Sequence, residues 1–329
     1  MVPRSRLRIL FVSAFHTPFI QDDIDLLEKH FPVRTRIGHG AGAALRIAGG
    51  AMRSDLVFCW FASVYAFVGV LMARILGNPS IIVVGGVDVA RDKELGYGIW
   101  LSPWRGRLVR YALRRASRVL VVDPSLKDAA VRLAGYSGEN IRYLPTGYDA
   151  SAWRSTGEKD PLVLTVAAVR DQKRLRVKGI DTLVDAARRL PGVTFVVIGV
   201  DEKLWGGLRP PPNVHFQPLM PRSELLPYYQ RAKVYCQPSL REGLPNTLCE
   251  AMLCGCVPVA SSAGGNPTAV GDAGFIVPPG DIDALAEALQ RAMGSKVDMG
   301  ARARARIVAL FPKEKRETEL LAMLDSLAQ

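Results

Sequence analysis

A chain of 329 residues exceeds one ordinary core of about 100 to 200 residues, so two domains are expected. Hydrophobic residues make up 49% and charged residues 22%, a globular balance that excludes a disordered chain. The net charge of +12 calls for an anionic partner such as a nucleotide, a phospholipid surface or nucleic acid; residues 1–150 hold 20 Lys and Arg against 12 Asp and Glu, so most of the excess lies in the first half.

The basic leader at 1–8 runs into only a short apolar stretch at 9–14 with no cleavage site, so a signal peptide is not expected. Apolar strand-like runs then alternate with helical ones: strand 7–14, helix 22–30, strand 33–37, strand 56–61 and strand 81–84. The apolar run 57–73 is too short for a span of about 20 residues, and Ser63, Gly69 and Arg74 interrupt or close it; a buried strand feeding a core helix over 62–76 is expected. A basic helix over 103–116, a strand at 119–122 and a helix opened by Pro124 and Ser125 complete a first series. Turn-rich residues 143–161 separate it from a second: strands at 162–169, 194–198, 214–216, 234–237 and 257–260, with helices at 179–190, 222–231, 246–254 and 282–293. Strand–helix alternation predicts an α/β protein of two Rossmann-like, doubly wound parallel-sheet lobes facing a cleft, with boundaries at 1–152 and 153–312 and a closing helix in 313–329 that crosses back to the first lobe. The five cysteines, three of them clustered at Cys249, Cys254 and Cys256 in an apolar stretch, are expected to pack reduced in a cytoplasmic protein and not to bind metal.

The sharpest motif is Arg241-Glu242-Gly243-Leu244-Pro245-Asn246-Thr247-Leu248-Cys249-Glu250, with seven residues between its two glutamates. It has the form of a loop opening a helix: Gly243 permits a tight turn, Pro245 and Asn246 suit a helix start, and free N–H groups there make an anion site suited to a diphosphate. Glu250, about one turn in, could accept hydrogen bonds from a ribose diol; its apolar neighbours mean that a buried carboxylate needs a partner.

This pattern resembles glycosyltransferase family 4, whose members carry an E-x7-E motif on a two-lobed scaffold called GT-B. The resemblance extends through Lys178-Gly179-Ile180-Asp181, Pro238-Ser239-Leu240, Gly264-Gly265-Asn266-Pro267 and Val277-Pro278-Pro279-Gly280-Asp281, covering residues 160–290 in the same order. It implies a retaining hexosyl transfer from a nucleotide-diphosphate sugar, a UDP-sugar ahead of GDP-mannose, to a hydroxyl of a glycan or lipid-linked acceptor. Glu242 would touch the sugar hydroxyls, Glu250 the ribose, and Lys178 with a nearby arginine the diphosphate. Arg170, Arg174 and Arg176 compete for that last role, and Arg170 is preferred because it ends a strand. Gly243, Leu244, Pro245, Asn246, Thr247 and Ser239 complete the expected donor site. Fixed cations and a helix tip would replace a divalent metal, so neither metal nor cofactor is expected.

The chain departs from the family at Thr268, where a glutamate is usual, so Gly264 to Thr268 could be only a turn. On the acceptor side a family histidine is replaced by Gly85-Gly86-Val87-Asp88; Asp88 either orients a substrate or caps a turn, and His16 either meets the acceptor or is an ordinary loop histidine. Asp23-Ile24-Asp25 and Asp281-Ile282-Asp283 imitate a metal-binding pattern but suit helix starts better. Gly38-His39-Gly40-Ala41-Gly42 imitates a dinucleotide loop, yet it follows the second strand. The stretch from Arg105 to Arg118, with Trp104, Leu108 and Tyr111 interleaved, suits either an anionic membrane surface or a solvated face; no nucleic-acid module is present. A nucleotide-sugar epimerase and a noncatalytic sugar-nucleotide-binding subunit are the rival functions.

Overall fold

The computed structural model describes residues 7–155 and 157–327; most of the basic leader and the end of the expected closing helix lie outside them. The chain forms two compact units, one comprising the chain up to Thr146 together with the chain from Glu314 onward, the other Gly147–Lys313.

The sheet of the first unit contains β1 (Ile9–Ser13), β2 (Val33–Ile37), β3 (Leu56–Trp60), β4 (Ser80–Val84), β5 (Arg118–Val121) and β6 (Ile141–Tyr143) in the order β2-β1-β3-β4-β5-β6. All neighbours are parallel. β1, β3 and β4 are buried at every residue, as strands covered on both faces must be, which is why they read as unbroken apolar runs. The first crossover, through the helix Pro18–Glu28, moves one way along the sheet, and those through Ala41–Ala51, Val64–Ile75, Pro103–Arg115 and Ser125–Ala134 move the other way. Right-handed connection therefore puts Pro18–Glu28 on one face and the other four helices on the opposite face.

Two expectations change here. The helix Val64–Ile75 is not a core helix: only Ala66, Gly69, Val70 and Ala73 are buried. Asp23 does not begin a helix, because Pro18 starts the helix earlier and leaves Asp23 inside it, 2% exposed. Its carboxylate accepts hydrogen bonds from Arg316 Nε at 2.7 Å, Arg316 Nη2 at 2.6 Å and Trp60 Nε1 at 2.6 Å. Arg316 Nη1 donates to the carbonyls of Pro145 at 2.7 Å and Leu144 at 3.2 Å. This buried pair ties the closing helix Lys313–Leu327 into the first unit with every strong polar group partnered.

The second unit holds β7 (Asp160–Val169), β8 (Thr194–Val200), β9 (Val214–Gln217), β10 (Ala232–Gln237), β11 (Val257–Ser261) and β12 (Phe275–Val277) in the order β12-β11-β10-β7-β8-β9, again all parallel. Val163, Phe195, Val197, Val234 and Val259 from the strands pack with Leu183, Val184, Leu285 and Leu289 from the helices. Short elements escape the sequence pattern: β6 has one buried residue in three, and β12 is equally short. The helices Ala41–Ala51, Gln172–Val177, Asn266–Val270 and Val297–Leu310 were also not anticipated.

Arg316→Ala should lower the stability of the first unit by about 3 to 5 kcal/mol, since it strands a buried carboxylate. Urea unfolding of the full chain measures this, and a loss below about 1 kcal/mol would show that the pair is not structural.

Candidate functional site

In the second sheet the strand order reverses between β7 and β10, so the loops leaving their carboxyl ends are neighbours. The loop after β7 forms the helix Gln172–Val177, capped by Asp171, whose carboxylate accepts from Arg174 N at 2.7 Å. It ends at Lys178 and at Gly179, whose φ of 65° is open to glycine. A Cβ on Gly179 would run into the carbonyl of Pro238, and Leu240 N donates to Val177 O at 2.8 Å. The two loops are thus in backbone contact.

That contact brings Lys178 Nζ to 2.5 Å from Glu242 Oε1. Gln237, the last residue of β10, donates from Nε2 to the same oxygen at 2.8 Å and to Ser239 Oγ at 3.0 Å. Ser239 is fully buried, and its carbonyl accepts from Ser261 Oγ. The Glu242 loop is braced from its other side by Gly264-Gly265-Asn266. A Cβ on Gly264, at φ 53°, would strike the Glu242 carbonyl, Gly265 N donates to Gly243 O at 2.7 Å, and the buried Asn266 donates to Ser261 Oγ at 3.1 Å. This segment is therefore more than a turn: it opens a short helix and buttresses the loop that carries Glu242.

The helix Asn246–Leu253 follows, with Pro245 as N-cap. Proline offers no capping side chain, and the first turn holds no acidic residue, so the leading amides and the positive end of the helix dipole are available to an external anion. Gly243, Leu244 and Pro245 are buried, which fixes the approach to the helix. Asn246 accepts from Tyr148 OH at 2.8 Å, and the Thr247 side chain is hydrogen-bonded to Tyr235. Glu250, 2% exposed, accepts from Arg222 Nε at 2.7 Å and Tyr229 OH at 3.2 Å. Burial and the Glu250 charge push the Tyr229 hydroxyl well above its ordinary value, so it stays protonated as a donor. The Arg222 guanidinium lies 5.3 Å over the Trp153 ring.

Arg170 follows β7 directly and is exposed, as are Arg174 and Arg176 on the short helix; Lys178 is the cation that meets Glu242. Asp281 caps the helix Ile282–Met293 by accepting from Ala284 N at 2.9 Å. All five cysteines are buried, and burial pushes the thiols of Cys59, Cys249 and Cys254 up to about 12. Among the described residues no three His, Cys, Asp or Glu side chains converge as metal ligands would.

In the first unit His16 is exposed just beyond β1 and pairs with Gln21 at 2.7 Å. Asp88 is 1% exposed and accepts from the amides of Gly86 at 2.8 Å, Ala62 at 2.9 Å and Gly85 at 3.2 Å. That is the geometry of a turn cap. Burial raises its pKa to about 6 against the pull of these amides.

Gln237, Arg222, Tyr229 and Tyr148 are the partners that sequence reasoning missed. Gln237 is detectable only as a polar residue ending an otherwise apolar strand. Arg222 looks like any basic residue on a solvated helix.

Two doubly wound sheets, one with polar side chains gathered where its strand order reverses, define the GT-B class of folds. Residues 160–295 match the family described as "Glycosyl transferases group 1", and residues 23–152 match "Glycosyltransferase Family 4". The chain belongs to glycosyltransferase family 4. It is 26% identical over 282 residues to the MMP alpha-(1->4)-mannosyltransferase of Mycolicibacterium hassiacum, covering 78% of this chain and 67% of that one. It is 31% identical over 241 residues to the D-inositol 3-phosphate glycosyltransferase of Mycobacteroides abscessus, covering 65% and 53%. The chain thus spans about half to two thirds of the length of these curated relatives. The crystal structure of Anabaena HepE in complex with UDP-glucose superposes with a TM-score of 0.77 at 18% identity, over 97% of this chain and 100% of that one, a likeness of fold.

A carboxyl raised from 3.8 to about 6 binds more protons folded than unfolded between those values, so its contribution to stability falls as pH rises through that window. Lowering the pH from about 7 to about 5 should therefore stabilise the wild type relative to Asp88→Asn. Parallel stability-against-pH curves for the two proteins would contradict this.

Proposed function

We propose that the protein is a retaining, metal-independent glycosyltransferase that moves a hexose from a nucleotide-diphosphate sugar, a UDP-sugar ahead of GDP-mannose, to a hydroxyl of a glycan or lipid-linked acceptor. The observation that carries this reading is the Lys178–Glu242 pair at 2.5 Å, set where the second sheet reverses and beside the helix tip at Pro245. Family membership supports the reaction class, and the UDP-glucose held by HepE, together with the mannosyl transfer in the name of the Mycolicibacterium relative, supports the donor class.

In this reading the diphosphate takes the leading amides of the helix Asn246–Leu253 and draws the Lys178 ammonium toward itself. Glu242, still held by Gln237 through Oε1, then offers its carboxylate to the sugar hydroxyls. Glu250 takes the ribose diol. The acceptor oxygen forms its bond to the anomeric carbon on the face from which the diphosphate departs. As the bond from that carbon to the phosphate oxygen breaks, the acceptor proton passes to a diphosphate oxygen. Lys178 and the helix tip stabilise the charge that develops there, with one of Arg170, Arg174 and Arg176 as a second cation. Asp88, committed to backbone amides, has no direct part, and His16 is the acceptor-side candidate.

Lys178→Ala should lower kcat/KM about 10²- to 10³-fold in an assay of nucleoside diphosphate release coupled to glycoside formation. In the same preparation Glu250→Ala should abolish the thermal shift that the correct donor gives the wild type. Release of an isomerised donor without diphosphate would favour the epimerase, and donor binding without turnover would favour the binding subunit.

A further inference from the structure

The helix Val64–Ile75 is apolar in the wrong direction for an ordinary surface helix. Its buried positions, Ala66, Gly69, Val70 and Ala73, fall at helical spacing and are mostly small. Gly69 lets the helix lie close on β3, since a Cβ there would sit 3.0 Å from Val57 Cγ1. Most of the bulky apolar residues, Val64, Phe67, Val68, Leu71, Met72 and Ile75, are consequently left partly or fully exposed.

The helices on either side share this character. Ala41–Ala51 and Pro103–Arg115 both contact Val64–Ile75, and all three lie on one face of the first sheet. Leu45 is 76% exposed, Ile75 67%, Met52 64% and Trp104 53%. The three helices contain no Asp or Glu at all, yet they carry Arg46, Arg74, Arg105, Arg107, Arg110, Arg114 and Arg115. Arg110 and Arg114 donate to the carbonyls of Leu133 and Gly135, while Arg46, Arg74, Arg105, Arg107 and Arg115 are exposed.

We infer that this three-helix face of the first unit docks on an anionic lipid bilayer, with the outer side chains of Val64–Ile75, Leu45 and Trp104 entering the headgroup boundary and the exposed arginines meeting lipid phosphates. Charge complementarity selects the occupant: an acid-free, arginine-bearing apolar face suits a surface that is both greasy and negative. The helix of 12 residues is too short to span, and no helix among the described residues is long and apolar enough to cross a membrane, so the contact lies in the plane of the surface. The face is wider than the Arg105 to Arg118 stretch evident in the sequence, and its centre is the helix that the sequence assigns to the core. The inference does not depend on the transferase reading.

Cosedimentation of the full chain with vesicles tests it. Vesicles of phosphatidylcholine with about one third phosphatidylglycerol should bind the protein, pure phosphatidylcholine vesicles should bind it at least tenfold less, and salt should weaken the binding. Leu45→Glu/Ile75→Glu alters two exposed side chains and should cut binding at least tenfold with the thermal midpoint unchanged; Arg107→Ala/Arg115→Ala, the second variant, should cut it severalfold. Equal binding by Leu45→Glu/Ile75→Glu, or no binding by the wild type, would overturn the inference. So would a concentration-dependent dimer lost in that variant, which would assign the face to a second copy, or duplex DNA binding lost in the same variant.

Discussion

The candidate site depends on one close backbone contact, that of Gly179 against the carbonyl of Pro238. Reversal of strand order between β7 and β10 makes the two loops neighbours, but only a residue without a Cβ, at positive φ, lets them touch. From that contact Lys178 reaches Glu242, and Glu242 stands at the mouth of the helix Asn246–Leu253. Gly264 does the same on the far side of the loop. Gly179 against Pro238 and Gly264 against Glu242 thus hold the loop that follows β10 by main-chain contacts at two points.

Around this clamp the polar groups form a graded network. Gln237, Ser239, Ser261 and Asn266 are buried and joined by hydrogen bonds, so the floor of the site is rigid. Lys178 and Glu242 are partly exposed, and a pair at such a position can exchange partners at modest cost. Glu250 lies deeper, and Arg222 and Tyr229 supply the partners that a carboxylate buried on an apolar helix face requires. The arrangement is pre-ordered where it supports and adjustable where a ligand would enter.

Much of this was legible in the chain. Long buried strands such as β1, β3, β4 and β7 announce themselves as apolar runs, and the E-x7-E segment with its glycines and proline reads as a loop opening a helix. Partners distant in sequence were not legible: nothing near Glu250 names Arg222, and nothing near Asp23 names Arg316, because such pairs are created by the topology. Burial direction was the other blind spot. The run 64–75 is apolar enough to belong in a core, but its fully buried positions are mostly small and most of its large residues are only half-buried, a distinction that composition does not carry. Asp88 shows the reverse, a residue in a suggestive position whose three amide partners make it a cap.

A crystal structure of the full chain with a bound UDP-sugar would test the central claim most directly. The account predicts the twin phosphates on the leading amides of the helix Asn246–Leu253, with Lys178 turned from Glu242 onto a phosphate oxygen and Glu242 on the sugar. Phosphates bound away from Pro245 and Lys178, or held by a divalent cation, would contradict it.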